Sequence, residues 1–101
     1  MAGETQPNGW YFEWDEEKAD ANFGKHGVGF EEAREAFRDP LGVYEYDVDH
    51  STATEHRYTL IGLSSRRLIF VVYTVRGETI RLIHARVASK RMEQDYVETN
   101  S

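Results

Sequence analysis

Hydrophobic positions along this chain repeat first every two residues, then at helical spacing, then every two again, and the switches mark its elements. Trp10, Phe12 and Trp14 alternate with Tyr11 and Glu13, which predicts a short strand with one aromatic face. Asp15 reads as a helix N-cap, Glu16 and Glu17 favour the positive end of the helix dipole, and Gly27 is the stop. Inside that helix Ala19, Asn22, Phe23 and His26 fall at i, i+3, i+4 and i+7. Polar Asn22 and His26 thus share a stripe with apolar residues and are expected to be buried or beside a cleft. A second helix is predicted from Phe30 to Arg38, with Phe30, Ala33 and Phe37 inward, Gly29 as its cap and Asp39-Pro40 as its end.

A strand over 43–47 and a polar loop over 48–55 come next. The period of two then dominates, predicting strands over 57–64, 67–76 and 79–87, separated by Ser65-Arg66 and Gly77-Glu78. A last helix over 89–98 would dock through Met92 and Tyr96. With both loops taken as two-residue turns, Arg57 lies opposite Thr74 and Thr74 opposite Arg81. Arg76 joins them by alternation, so Arg57, Arg76 and Arg81 would surround Thr74 on one face. Tyr73, Leu82, His84 and Arg86 would occupy the other face unless a bulge intervenes.

Composition narrows the function classes. With 101 residues, 40% hydrophobic, the chain suits one domain over 10–98 after a flexible tail over 1–9. Cysteine is absent, so neither a disulfide framework nor a thiolate zinc site carries the fold. No apolar run is long enough for a bilayer and no signal core opens the chain, which reads as a cytoplasmic protein without a membrane partner. The net charge of −6 argues against indiscriminate nucleic-acid binding. That total hides a segregation: residues 1–50 carry −9 and residues 51–101 carry +3, with +7 concentrated between Arg57 and Arg91. A basic strand region of this kind can meet an anion while the acidic half meets something basic.

Two readings of the arginines stay open. Arg57, Arg76 and Arg81 can converge on a phosphate, which guanidinium forks bind in a bidentate manner, or each can pair with Glu55, Glu78 or an acid of the first half. For proton transfer the candidates are His26, His84 and Glu55, histidine because it titrates near neutrality. Lys25, Arg86 and Tyr73 are candidate contacts for a phosphate-bearing ligand; Tyr58 and Tyr73 can either stack a flat ring or fill the core. Asp47, Asp49, His50 and His56 match no metal-ligand spacing, and a polar loop explains them; neither a metal nor another cofactor is expected.

The order Phe12-Glu13-Trp14-Asp15, Lys25-His26-Gly27-Val28, Phe30-Glu31-Glu32-Ala33, Phe37-Arg38-Asp39-Pro40, Asp49-His50-Ser51, Glu55-His56-Arg57, Ile61-Gly62-Leu63-Ser64, Val72-Tyr73-Thr74-Val75-Arg76 and Ile80-Arg81-Leu82-Ile83-His84-Ala85-Arg86 resembles the BrnT toxins of bacterial type II toxin–antitoxin systems. The resemblance spans residues 12–97. It implies an α+β, RelE-like fold: a curved antiparallel sheet with two helices after the first strand and a C-terminal helix. It also implies a metal-independent endoribonuclease that inhibits translation. The implied partner is a BrnA-like ribbon-helix-helix antitoxin, in a heterotetramer or larger complex that binds operator DNA through the antitoxin. Gly29 replaces a serine common in the family and touches only helix capping, whereas His84 replaces a small residue, which leaves a second reading: a catalytically weak or inactive module that grips a partner protein through its basic sheet face.

Overall fold

The first aromatic segment forms a three-residue strand, β1 (Tyr11–Glu13), in a computed structural model that describes residues 10–101; the expected tail over 1–9 lies outside the described residues. Phe12 and Trp14 turn inward and are buried, while Trp10 remains 39% exposed. Asp15 caps α1 (Glu16–His26), its carboxylate accepting the amides of Glu17 at 2.9 Å and Lys18 at 3.2 Å. Gly27 ends that helix in the left-handed region at φ 70°, where a side chain would be strained. α2 (Phe30–Glu35) runs into a 3-10 turn over Ala36–Arg38, so the helix expected over 30–38 tightens at its end. The remaining elements, β2 (Val43–Tyr46), β3 (Arg57–Leu63), β4 (Leu68–Arg76), β5 (Thr79–Val87) and α3 (Lys90–Thr99), fall within a residue of their predicted spans.

The sheet order is β1-β5-β4-β3-β2. Strands β2 to β5 are antiparallel, but β1 lies parallel to β5, with Phe12 opposite Ile80. The expectation of a wholly antiparallel sheet is corrected to a mixed one. The reason is the crossover: α1 and α2 lie between β1 at one edge and β2 at the other. One face carries the core, where Leu60, Ile69, Val71, Tyr73, Ile80, Leu82 and Ala85 meet Val28, Phe30, Ala33 and Phe37. Gly62 lets the 3-10 turn settle on this face, since a Cβ there would stand 2.8 Å from the Ala36 carbonyl.

An ion pair closes the structure around the β3–β4 hairpin. Arg67 donates from Nε and Nη2 to both oxygens of Glu32, at 3.0 and 2.9 Å, and from Nη2 to the Gly27 carbonyl at 2.9 Å. Ser64 donates to the same carboxylate at 2.8 Å. Those bonds from Arg67 outweigh burial and hold the Glu32 carboxyl below its ordinary pKa.

Both hairpins keep the predicted register: Arg57 is opposite Thr74, and Thr74 opposite Arg81. Gly77 supplies the positive φ, 62°, that the tight β4–β5 turn requires. Farther along β5 the pairing shifts. Val72 faces His84 but Tyr73 faces Leu82, so Ile83 is an extra residue in a β-bulge. Beyond it every side chain of β5 changes sides. His84 and Arg86 therefore share the non-core face with Arg57, Thr74 and Arg81, which corrects their placement on the opposite face. The rest of the β5 edge is closed by α1. Asn22 donates to the Ala85 carbonyl at 2.9 Å and accepts the Ala85 amide at 3.2 Å, and it also donates to Val28.

Two outcomes follow from these contacts. Asn22→Ala strips buried backbone groups of their partner and should lower unfolding free energy by about 1–3 kcal/mol, read from denaturant midpoints. Glu32 titrates below its ordinary value, so its stabilising effect is complete above pH 4.5 and is lost as pH falls through the depressed pKa. Glu32→Gln should accordingly be less stable than wild type at pH 7 and lose less of its stability on acidification, by midpoints measured across the acid range.

Candidate functional site

The non-core face of the sheet gathers the basic residues. Two strand spacings, about 10 Å, separate the Arg57 and Arg81 backbones, with Thr74 between them, and both side chains line a cleft of about 80 Å³. Lys18 from α1, Asp15 and Glu55 line it too. Arg57 donates from Nε to Glu55 at 3.0 Å, and Arg81 lies 3.6 Å from Glu13. Each arginine thus has one carboxylate neighbour, and a guanidinium has five N–H donors, so donors remain for an anion. Thr74 is buried between them and donates to the His56 carbonyl at 2.7 Å, which fixes the floor of the cleft.

The bulge places a second cluster next to the first. His84 stands three residues beyond Arg81 on β5, at most about 10 Å along the strand. Its ring meets that of His26 edge-on, with centroids 4.7 Å apart. Burial, followed by the positive fields of His26, Arg86 and Lys25, pushes the His84 imidazole below its ordinary pKa. At neutral pH it is therefore an unprotonated base amid cations. Arg86 lies over the Phe70 ring, 5.0 Å from its centroid, so its charge is held by cation–π contact on the same face.

Helical spacing explains how α1 serves both clusters. Lys18, Asn22 and Lys25 are at i, i+4 and i+7, so one side of α1 presents Lys18 to the arginine cleft, Asn22 to β5 and Lys25 to the histidines. The expected stripe divides accordingly: Ala19, Asn22 and His26 are wholly or partly buried, whereas Phe23 is 57% exposed on another side.

Not every expected residue joins the site. Tyr73 is buried on the core face, 6% exposed, stacked on Tyr58 and edge-on to Phe37. Its assignment as a contact for a phosphate-bearing ligand is corrected to a core position, and burial also pushes its hydroxyl pKa up. Arg76 keeps the parity of Thr74 but sits exposed at the hairpin end opposite Thr79, outside the cleft. In the polar loop, Asp47 is engaged by His50 at 2.9 Å and Tyr46 by His56 at 2.9 Å. Among the described residues no group of three or more His, Cys, Asp or Glu could hold a metal ion. Sequence reasoning missed Lys18 and Glu13; the repeat of Lys18 with Asn22 and Lys25 was the available signal for the first.

A basic face with paired imidazoles has the chemistry of phosphodiester recognition. The family model described as "Ribonuclease toxin, BrnT, of type II toxin-antitoxin system" matches residues 14–91, more than three-quarters of the chain. The chain belongs to the BrnT family. Membership makes it a ribonuclease toxin of the type II class, for which an antitoxin is the partner. A search of curated proteins finds no match. In this BrnT member none of the described helices is long and apolar enough to cross a membrane.

The electrostatics of the BrnT site give a direct test. Removing a cation beside His84 should let its pKa rise toward the ordinary value. In Lys25→Gln the His84 imidazole resonances should therefore titrate at higher pH than in wild type, while both midpoints stay below 6.5.

Proposed function

We propose that this BrnT chain cleaves RNA at its basic sheet face without a metal ion, and so inhibits translation. The observation that carries the proposal is the bulge, which brings His84, with His26 against its ring, to the face that Arg57 and Arg81 share. Cleavage requires a base for the 2′-hydroxyl, cations for the charge growing on phosphorus, and an acid for the leaving 5′-oxygen. Neutral His84 suits the first role. It would take the 2′-proton as the 2′-oxygen attacks phosphorus, and the P–O5′ bond breaks to leave a 2′,3′-cyclic phosphate. His26 is the acid candidate beside it, and Glu55, held against Arg57, is the second base candidate.

Arg57 and Arg81 would bind the scissile phosphate, and Arg76, exposed at the hairpin end outside the cleft, would meet a flanking one. Lys25 and Arg86 would hold neighbouring phosphates. The domain reading over 10–98, the RelE-type relationship and cytoplasmic action belong to the same proposal. So does neutralisation by a BrnA-like ribbon-helix-helix antitoxin, in a heterotetramer or larger complex on operator DNA. Because phosphate and carboxylate contacts to this face are ionic, added salt should weaken both RNA and antitoxin binding.

The carboxylates beside Arg57 and Arg81 favour a second reading, in which the arginines are held by ion pairs and the face grips a partner protein without cleaving RNA. One assay separates the two. Purified wild type should cleave single-stranded RNA in the presence of a chelator, leaving cyclic phosphate ends. Arg57→Ala and Arg81→Ala should each slow cleavage by about 10²-fold at unchanged unfolding midpoint. His84→Ala should cost about 10²–10⁴-fold and abolish the limb of the pH profile that rises through the His84 pKa. Wild-type inactivity, or full activity in all three variants, would favour the binding module.

A further inference from the structure

The side of α1 turned away from the basic face borders a different kind of surface. Trp14 and Phe30, buried and edge-on at 6.1 Å, form the floor of a groove of about 320 Å³ between α1 and α2. Phe23 stands along it, 57% exposed, above Gly29. Glu16, Asp20 and Glu31 rim the groove, and no Lys or Arg lines it. Arg34 pairs with Glu31 at 2.9 Å, while Glu16 and Asp20 have no ion pair among the described residues. Glu16, Asp20 and Phe23 follow the spacing i, i+4, i+7, as Lys18, Asn22 and Lys25 do on the opposite side. The helix is thus a partition between an acidic, aromatic groove and a basic sheet face.

We propose that this groove is a docking site for a basic segment of the antitoxin, with one aromatic or aliphatic side chain inserted beside Phe23 and Lys or Arg residues meeting Glu16 and Asp20. The chemistry selects that occupant. An exposed aromatic over an apolar floor offers desolvation to an anchor side chain, and its volume lies in the range of pockets that bury a ligand's apolar part, about 300–1,000 Å³. The Glu16 and Asp20 carboxylates, without an ion pair among the described residues, repel RNA and attract cations. Because the groove and the basic face are on different sides of α1, the segment held in the groove leaves the RNA-binding side chains uncovered, and the rest of the antitoxin can still reach them. The antitoxin's identity as the partner rests on the type II toxin reading; the apolar, basic character of the docking segment rests on the groove alone.

The test measures binding of the purified antitoxin encoded with this chain by calorimetry, using wild type, Phe23→Ser and Asp20→Lys. Both substitutions lie on exposed helix positions outside the proposed RNA site. Each should weaken antitoxin binding by about tenfold or more while RNA cleavage and the unfolding midpoint stay at wild-type values. The affinity of Asp20→Lys should also lose part of its salt dependence. Unchanged antitoxin affinity in both variants would overturn the proposal. So would no antitoxin binding by wild type, or a concentration-dependent self-association of the free chain that these substitutions abolish, which would assign the groove to a second copy. A wild type that fails to cleave RNA but binds antitoxin through the groove would sink the ribonuclease reading and leave the docking site standing.

Discussion

His84 and Arg86 join the arginine face because the core demands both Leu82 and Ala85. These residues are three apart on β5 and both buried, whereas a regular strand sends positions of odd separation to opposite faces. One extra residue, Ile83, resolves the conflict, and Tyr73 then pairs with Leu82 while Val71 pairs with Ala85. The bulge is thus imposed by apolar burial on one side and expressed as chemistry on the other. Asn22 accompanies it, satisfying both backbone groups of Ala85 at an edge that β1 is too short to cover. Hydrophobic packing and hydrogen-bond satisfaction together place His84 opposite His26.

From that arrangement the charge segregation acquires a geometry. Around α1 the charges divide between two surfaces, because the helix carries Glu16, Asp20 and an exposed phenylalanine on one side and Lys18 and Lys25 on the other. A chain with a net charge of −6 can still gather Lys18, Lys25, Arg57, Arg81 and Arg86 where strands β3, β4 and β5 meet α1. The Glu32–Arg67 pair ties the β3–β4 hairpin to the turn after α1, directly beyond His26. The same hairpin supplies Arg57 at the other end of β3, so the clasp also steadies the platform from which Arg57 projects.

Much of this was legible in the residue order, wherever the deciding forces are local. Asp15 caps α1 through its own carboxylate, Gly27 ends it by its tolerance of positive φ, and Gly77 turns the β4–β5 hairpin. Turn length and alternation then set the pairing of Arg57, Thr74 and Arg81. Tyr73 shows the limit of such reasoning. Its alternation with Thr74 placed it correctly on the other face, but its neighbours Phe37 and Tyr58, from distant parts of the chain, make that face the core rather than a place for a base.

By itself the sequence determined the element types, the hairpin registers, the concentration of cations after residue 56 and a set of motifs sufficient for the BrnT resemblance. All of these depend on side chains a few residues apart, or on composition. Tertiary structure decided the parallel seat of β1, the bulge at Ile83, the meeting of His26 with His84 and the entry of Lys18 into the arginine cleft. Each depends on which distant residues win burial and which backbone groups are left to satisfy. That competition is settled only when α1, α2 and the sheet are packed together.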